Sequence, residues 1–325
     1  MSVDRRITIV SHGPNCLDGL TCAVVAGRMF RDRRFEPVFA SNREIDRILQ
    51  HYDPTTPDRE ELWITDISWR EPATDVHLER LVANGLRLYW VDHHKTAIDR
   101  RAEGHLQGPF TDFVLDDTYA ASRLLYNYLT TTRADGWPER ADRLADLERL
   151  VMMADDVDRW ILKIPGSREL GLAVRAMDQT DAYRTLLSAH GDVMQAPEIR
   201  QALLRVETEL NNSMALARAT RRVSTVSGST IEIVAAECDD YAGEIADRWK
   251  PEFSRAVFVL YDRRSDAISL RRTPQCDVDL SRLAAAFGGG GHAAAAGCQI
   301  RTSGSDRSAD VARRVAEVLA KEQSS

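Results

Sequence analysis

Apolar runs recur through the first third of the chain, separated by polar stretches with helical spacing. Residues 7–10, 35–40, 62–65, 86–91 and 113–115 read as strands, each a short run rich in β-branched or aromatic side chains. Residues 20–30, 44–50 and 75–84 read as helices between them. The third carries Val76, Leu78, Leu81 and Val82 as its apolar positions and Gly85 at its C′ position. Strand and helix alternate at βαβ spacing, which predicts a mainly parallel sheet flanked by helices. A helical region starts at 116–129, passes a polar loop at 131–139, and runs on from 139 to 190 with a break near Pro165 and Gly166. Pro197 then opens a helix to about residue 222, with Ile199, Leu203, Val206, Leu210 and Met214 on one stripe. Beyond it, strands are expected at 223–226, 230–235, 256–261, 267–270 and 298–301, and helices at 241–249, 280–287 and 307–321. The pattern predicts an α/β protein: a domain at 1–195, a connector helix at 196–222 and a smaller α/β domain at 223–325.

Composition narrows the function classes. The chain has 325 residues, 43% hydrophobic and 29% charged, enough to bury sizeable cores. A net charge of -7 argues against holding long duplex nucleic acid by electrostatics alone, yet leaves room for a short nucleotide on a local basic patch. The five cysteines at 16, 22, 238, 276 and 298 are scattered and form no CxxC pair, so a reducing compartment is expected rather than a disulfide scaffold. No apolar run approaches the ~20 residues of a membrane span, and residues 1–6 lack a signal-peptide core. A soluble, cytoplasmic protein without membrane partners is expected, with a homodimer left open.

The strand ends carry the candidate chemistry. Asp92-His93-His94 directly follows the run at 86–91. His12 follows 7–10, Asp66 follows 62–65, and Asp155-Asp156 follow another apolar stretch. Carboxyl ends of parallel strands are where α/β proteins place their ligands, and carboxylates and imidazoles suit divalent metals. Each residue alone has a plain explanation. Asp18 would cap the helix near Leu20, Asp66 would sit in a turn, and Asp155, Asp156 and Asp158 would form a solvated face. Two adjacent histidines after a buried strand fit no such role. Convergence on one metal centre explains all of them together.

A second unusual stretch is Gly288-Gly289-Gly290-Gly291-His292, followed by Ala293-Ala294-Ala295-Ala296-Gly297. Glycines let backbone N–H groups face an anion, and a helix starting at Ala293 would add its positive end. Arg271 closes a short strand and offers a planar fork for phosphate.

These motifs, in this order and over nearly the whole chain, resemble the DHH phosphoesterase superfamily, in the DHH–DHHA1 branch of nano-RNases, pAp phosphatases and RecJ-type exonucleases. They are His12 to Asp18, Thr65-Asp66, Asp92-His93-His94, Asp156-Val157-Asp158, and Gly289-Gly290-Gly291-His292 with Ala295-Ala296-Gly297. The resemblance implies a metal-dependent phosphoesterase, usually with two manganese ions, Mg²⁺, Co²⁺ or Zn²⁺ being alternatives. It implies that His12 and Asp66 hold one ion, and that Asp18, Asp66, His93 and Asp156 hold the other. His94 would face the phosphoryl oxygens and Asp92 would orient the histidine pair. The spacing Asp156, Asp158, Trp160 resembles an E-D-R-D-x-W form, which favours Asp156 as the ligand with Asp158 and Arg159 supporting the rim; Trp160 is expected in the core, stacking on a base being the alternative.

One position departs from the family: Cys16 stands where an aspartate is usual. Its thiolate is a candidate ligand favouring a softer ion. Asn15 or water would be substitutes, and inward packing of Cys16 is the remaining reading. The resemblance further implies that Arg271, Gly289, Gly290, Gly291 and His292 bind substrate. Short oligonucleotides or nucleotides such as pAp are the implied substrates. A cyclic dinucleotide phosphodiesterase, or a non-catalytic nucleotide-binding protein with a decayed first metal site, are the alternatives.

Overall fold

The computed structural model describes residues 5–102, 110–131, 138–300 and 306–322. Much of the expected polar loop at 131–139, and Arg301 of the expected last strand, lie outside them. The chain divides into two compact units, Met1–Val206 and Glu207–Ser325.

In the first unit the described sheet has five strands: β1 (Arg6–His12), β2 (Phe35–Ala40), β3 (Glu60–Thr65), β4 (Arg87–Asp92) and β5 (Asp112–Leu115). Their order is β2-β1-β3-β4-β5, and every pairing is parallel. All five carboxyl ends therefore lie on one edge of the sheet. Alternation along the strands sorts the core. Ile7, Ile9, Trp63, Tyr89 and Val91 pack with α1 (Leu17–Met29), α5 (Ala121–Thr131) and α6 (Glu148–Asp158). Val10, Leu62, Ile64 and Trp90 pack on the opposite face with α2 (Ile45–Gln50) and α3 (Pro72–Ala83). Trp63 stacks on Tyr89 across the strand pair at 4.0 Å between ring centroids. A short helix not expected from the sequence, α4 (Lys95–Ala102), follows the histidine pair. The helical region further on resolves into α6, α7 (Ser167–Arg175) and α8 (Gln179–Ser188), before α9 (Pro197–Thr220).

The second unit carries β6 (Arg222–Thr225), β7 (Glu232–Cys238), β8 (Ala256–Asp262), β9 (Ala267–Arg272), β10 (Gly290–His292) and β11 (Ala295–Cys298). Their order is β10-β11-β9-β8-β7-β6, with β7 and β8 parallel and the other pairs antiparallel. α10 (Ala242–Trp249), α11 (Leu280–Ala285) and α12 (Arg307–Glu322) accompany the sheet. No helix starts at Ala293. The glycine and alanine segments pair as a hairpin, Gly291 opposite Ala296, and β11 docks on β9 with Ala295 opposite Arg271. Four alanines are too few to nucleate a helix against that pairing. Among the described residues no helix is long and apolar enough to cross a membrane.

Candidate metal centre

Asp66 sits one residue beyond β3, at the centre of the sheet edge. It is 1% exposed, and its backbone is left-handed with φ of 59°, a conformation uncommon for a side chain other than glycine, asparagine or aspartate. Its two carboxylate oxygens face different neighbours. Oδ2 accepts from the Cys16 thiol at 3.3 Å and lies 3.6 Å from His12 Nδ1. Oδ1 lies 3.4 Å from His93 Nε2 and 4.0 Å from His94 Nδ1. His93 Nε2 is also 3.3 Å from Asp158 Oδ2.

Each neighbour is placed by the end of an element. His12 ends β1. Cys16 caps α1, its sulfur accepting from the Gly19 N–H at 3.5 Å. Gly19 is required here: a Cβ on it would meet the His12 carbonyl oxygen at 2.2 Å, so glycine lets α1 close on the end of β1. Asp18 is not the cap of its own helix. Its carboxylate crosses to α5 and accepts from the Ala121 and Ser122 N–H groups at 2.8 and 3.0 Å. Asp92, fully buried, turns back on the histidine pair. Its Oδ1 accepts from the His93 and His94 backbone N–H groups and from His94 Nδ1, the last at 2.8 Å.

Donor atoms come together in three overlapping sets: His12, Cys16 and Asp66; Asp66, His93 and His94; Asp18, His93 and Asp158. Within each set they lie within 4.8 Å of one another. The sequence reading is corrected at α6. Asp158 reaches the cluster and Asp156 does not, because the Asp156 carboxylate accepts from the Lys163 and Ile164 N–H groups at 2.9 and 3.0 Å and from the Ser167 hydroxyl. Asp155 is committed elsewhere, to Ala120 N–H and Arg123, both at 2.8 Å. Residues two apart on a helix point about 200° apart, so Asp156 and Asp158 cannot both face the centre. The Ser167 hydroxyl that holds Asp156 lies eleven residues on, beyond the reach of any local sequence signal. Trp160 is also corrected: it is 47% exposed, not core.

The electrostatics follow from this crowding. Burial, then the Asp66 and Asp158 carboxylates, push Asp18 well above the usual carboxyl range. Burial and Asp66 raise Asp158 too. Burial also opposes ionisation of Asp66, but the nearby His12 and His93 imidazoles outweigh it and hold this acid well below its ordinary value. Burial would lower His93, but Asp66, Asp158 and Asp18 outweigh it and raise the imidazole to about 9. Burial, then Asp66 and Asp18, push the Cys16 thiol well up. Asp66 Oδ1 and His93 Nε2 are buried atoms without a hydrogen-bond partner, an expensive arrangement that a bound cation at Asp66 Oδ1 would relieve. Carboxylate and imidazole donors aimed at one point fit divalent cations of the manganese-to-zinc series.

In the second unit, the Arg271 guanidinium donates to Ser269 Oγ and the Leu270 carbonyl at 2.8 and 2.9 Å. Arg272 donates to the carbonyls of Ala293 and Cys276, tying the glycine hairpin to β9. A Cβ on Gly289 would meet the Gly297 carbonyl oxygen at 2.1 Å, and one on Gly291 the Ala295 carbonyl oxygen at 2.7 Å. Gly290 and His292 are exposed.

Residues 230–321 match the DHHA1 domain. The chain is 27% identical over 301 residues to the oligoribonuclease NrnB of Bacillus subtilis, covering 90% of this chain and 72% of that protein. In fold it is similar to a pGpG-specific phosphodiesterase, PggH, of Vibrio cholerae, with a TM-score of 0.54, 14% identity and 98% of each chain covered. It is similar also to RecJ of Thermus thermophilus crystallised with Mn²⁺, with a TM-score of 0.53, 14% identity, 98% of this chain and 52% of that one. Sheet order, strand-end cluster and glycine hairpin define a two-part α/β protein with the fold of these structures. The second unit thus contains a DHHA1 domain, and the chain as a whole resembles an oligoribonuclease over 301 residues.

Proposed function

We propose that the protein is a divalent-metal-dependent phosphoesterase that cleaves short oligonucleotides or nucleotides. The observation carrying this reading is the approach of donors from the ends of β1, α1 and β4 to the two oxygens of one buried aspartate, Asp66, with Asp158 of α6 beside His93. His12, Cys16 and Asp66 would hold one cation, and Asp18, Asp66, His93 and Asp158 a second, with Asp66 shared. Bound there, divalent cations activate water as a nucleophile and offset the charge that builds on a phosphoryl group. Manganese suits the carboxylate and imidazole donors, and the Cys16 sulfur would shift its own subsite toward zinc or cobalt.

The chain's own groups do the rest. Asp92 fixes the His94 ring through Nδ1. Burial would lower His94, but Asp92 and then Asp66 outweigh it and raise the imidazole, which favours the doubly protonated ring, the form whose outward nitrogen would donate to a phosphoryl oxygen. In the second unit Arg271, Gly289, Gly290, Gly291 and His292 would bind the phosphate or sugar of a nucleotide. The test is metal analysis coupled to turnover of bis-p-nitrophenyl phosphate, pAp, a dinucleotide and a cyclic dinucleotide with Mn²⁺. Bound metal and hydrolysis of at least one nucleotide are expected. A protein that binds nucleotide but hydrolyses none of the four would overturn the enzymatic reading in favour of a binding role.

A further inference from the structure

Two left-handed residues stand in the turn after α6. Trp160 and Leu162 have φ of 54° and 55°, a conformation that is an outlier for bulky side chains and persists only where the surroundings impose it. Asp156, buried and turned away from the cluster, imposes it. Its backbone carbonyl accepts from the Ile161 and Leu162 N–H groups at 2.8 and 3.3 Å. Its carboxylate accepts from the Lys163 and Ile164 N–H groups and the Ser167 hydroxyl. The result is an aromatic ring held out in solvent instead of folded away. Trp160 is 47% exposed and the next residue, Ile161, 39% exposed, whereas Trp63, Trp69 and Trp90 are fully buried. Trp160 stands two residues beyond Asp158, whose carboxylate lies 3.3 Å from His93 Nε2. The Arg168 guanidinium lies 5.6 Å from the indole centroid and steadies the ring by a cation–π contact, while almost half of the residue stays open. A ring already fixed in place loses little freedom on taking up a flat partner, and every nucleobase offers it a π-face.

We propose that Trp160 is a stacking platform for a nucleobase of the substrate, held in place by Asp156. This rests on reading the adjacent cluster as the hydrolytic centre. Asp156 is then a positioning residue: it binds no ligand itself and sets the ring beside Asp158. The platform touches a base and not the ester being cut. It therefore favours nucleotidic substrates over phosphoesters without a base, and does so through binding and not through the chemical step. Stacking reads no base edge, so the preference holds for all four bases.

The experiment compares an RNA dinucleotide without terminal phosphates and its abasic counterpart, in which hydrogen replaces both bases. Trp160→Ala is the primary variant, since a half-exposed ring can be removed with little effect on the fold, and Trp160→Phe tests rescue by a smaller ring. Trp160→Ala is expected to raise KM for the dinucleotide roughly 5- to 100-fold, the range of base–aromatic stacking. The kcat, the bound metal and the kinetics on the abasic substrate should stay within about twofold, and Trp160→Phe should recover part of the KM. Equal losses on both substrates would mean that the ring only holds the turn, and no loss on either would mean that it binds nothing; both results overturn the proposal. Equilibrium titration of the full chain without metal, followed by calorimetry and by tryptophan fluorescence, separates this from the enzymatic reading. The dinucleotide should quench the wild type, and Asp156→Asn should weaken that quenching while its bound metal, measured in parallel, is unchanged. Undiminished quenching in Asp156→Asn would overturn its positioning role. If the wild type hydrolyses nothing yet binds the dinucleotide more tightly than its abasic counterpart, and Trp160→Ala abolishes that preference, the platform stands and the enzyme does not. Turnover whose dependence on the bases survives Trp160→Ala would keep the enzyme and overturn the platform.

Discussion

In the first unit Asp66 Oδ1 and His93 Nε2 are buried without hydrogen-bond partners, whereas in the second the Arg272 guanidinium donates to the Ala293 and Cys276 carbonyls. The first arrangement stores electrostatic cost at one point: three carboxylates, a thiol and three imidazoles around a single aspartate. The second uses its polar side chain to hold a hairpin in which Gly289 and Gly291 pack too closely for a Cβ. The contrast teaches that substitutions in the two units should leave different signatures. In the first they should move metal and turnover with modest effect on folding. In the second they should move stability or substrate binding and leave the metal alone.

The largest effect is expected at Asp66. Asp66→Ala removes the carboxylate placed between both cation sets, and its loss should cost several kcal/mol of transition-state stabilisation, about 10³-fold or more in turnover. Metal analysis should show both cations lost together, while circular dichroism shows the fold retained. Turnover kept within tenfold would erase the contrast between the units at its strongest point.

Next in size is a pH effect. His93 is raised to about 9, so below that pH a cation must displace its proton. Mn²⁺ affinity should therefore climb with pH, by about tenfold per unit for one coupled proton, and level off above pH 9. For the metal-free protein the sign is opposite. A raised histidine stabilises the fold fully below its unfolded value near 6.5, and that contribution fades as pH rises through 9. Calorimetric titrations at pH 6, 7 and 8 check both, and a flat affinity over that range would break the account.

The sheet was legible in the sequence because its strands are short apolar runs between turn residues, and their ends advertised His12, Asp66, Asp92 and His93. The choice between Asp156 and Asp158 was not legible. Both are acids on one helix, and the decision comes from residues up to eleven positions on, where the amides of Lys163 and Ile164 and the Ser167 hydroxyl claim Asp156. The same limit hid the hairpin at 290–298. Local propensity reads an alanine run as helix, while the register with β9 is a non-local pairing. Asp158→Asn and Asp156→Asn turn this into a paired test. Asp158→Asn should lower metal affinity about 10- to 100-fold, the range typical of lost supporting contacts at metal sites or more, with little loss of stability. Asp156→Asn should cost about 1–3 kcal/mol of stability with metal retained. Reversed outcomes would restore Asp156 as the ligand.

A smaller effect is expected at Gly289. Gly289→Ala must push apart β10 and β11, since the new carbon would sit 2.1 Å from the Gly297 carbonyl oxygen and 2.6 Å from Cys298 Cβ. Overpacking of this kind costs about 1–3 kcal/mol, read as a lower unfolding midpoint with unchanged metal content. A variant of wild-type stability that has lost only substrate affinity would assign this glycine to the ligand alone.

The smallest effect, and the one that most sharpens the comparison, is at Arg271. Its Nη1 donates to Ser269 and Leu270 on its own strand, so the side chain has a structural role as well as its proposed role at phosphate. The two roles separate by pairing variants. Ser269→Ala removes one of these strand contacts and leaves the cation, whereas Arg271→Ala removes the cation and both contacts. If the guanidinium serves substrate, Arg271→Ala should raise KM for a dinucleotide about tenfold, near 1.4 kcal/mol, with kcat and metal unchanged. Ser269→Ala should then change KM by about twofold or less, because the Leu270 carbonyl still accepts from the same Arg271 nitrogen and holds the fork in place. Equal effects from both variants would make Arg271 a strut of β9. Loss of metal on Arg271→Ala would show that the two units do not divide the work between them.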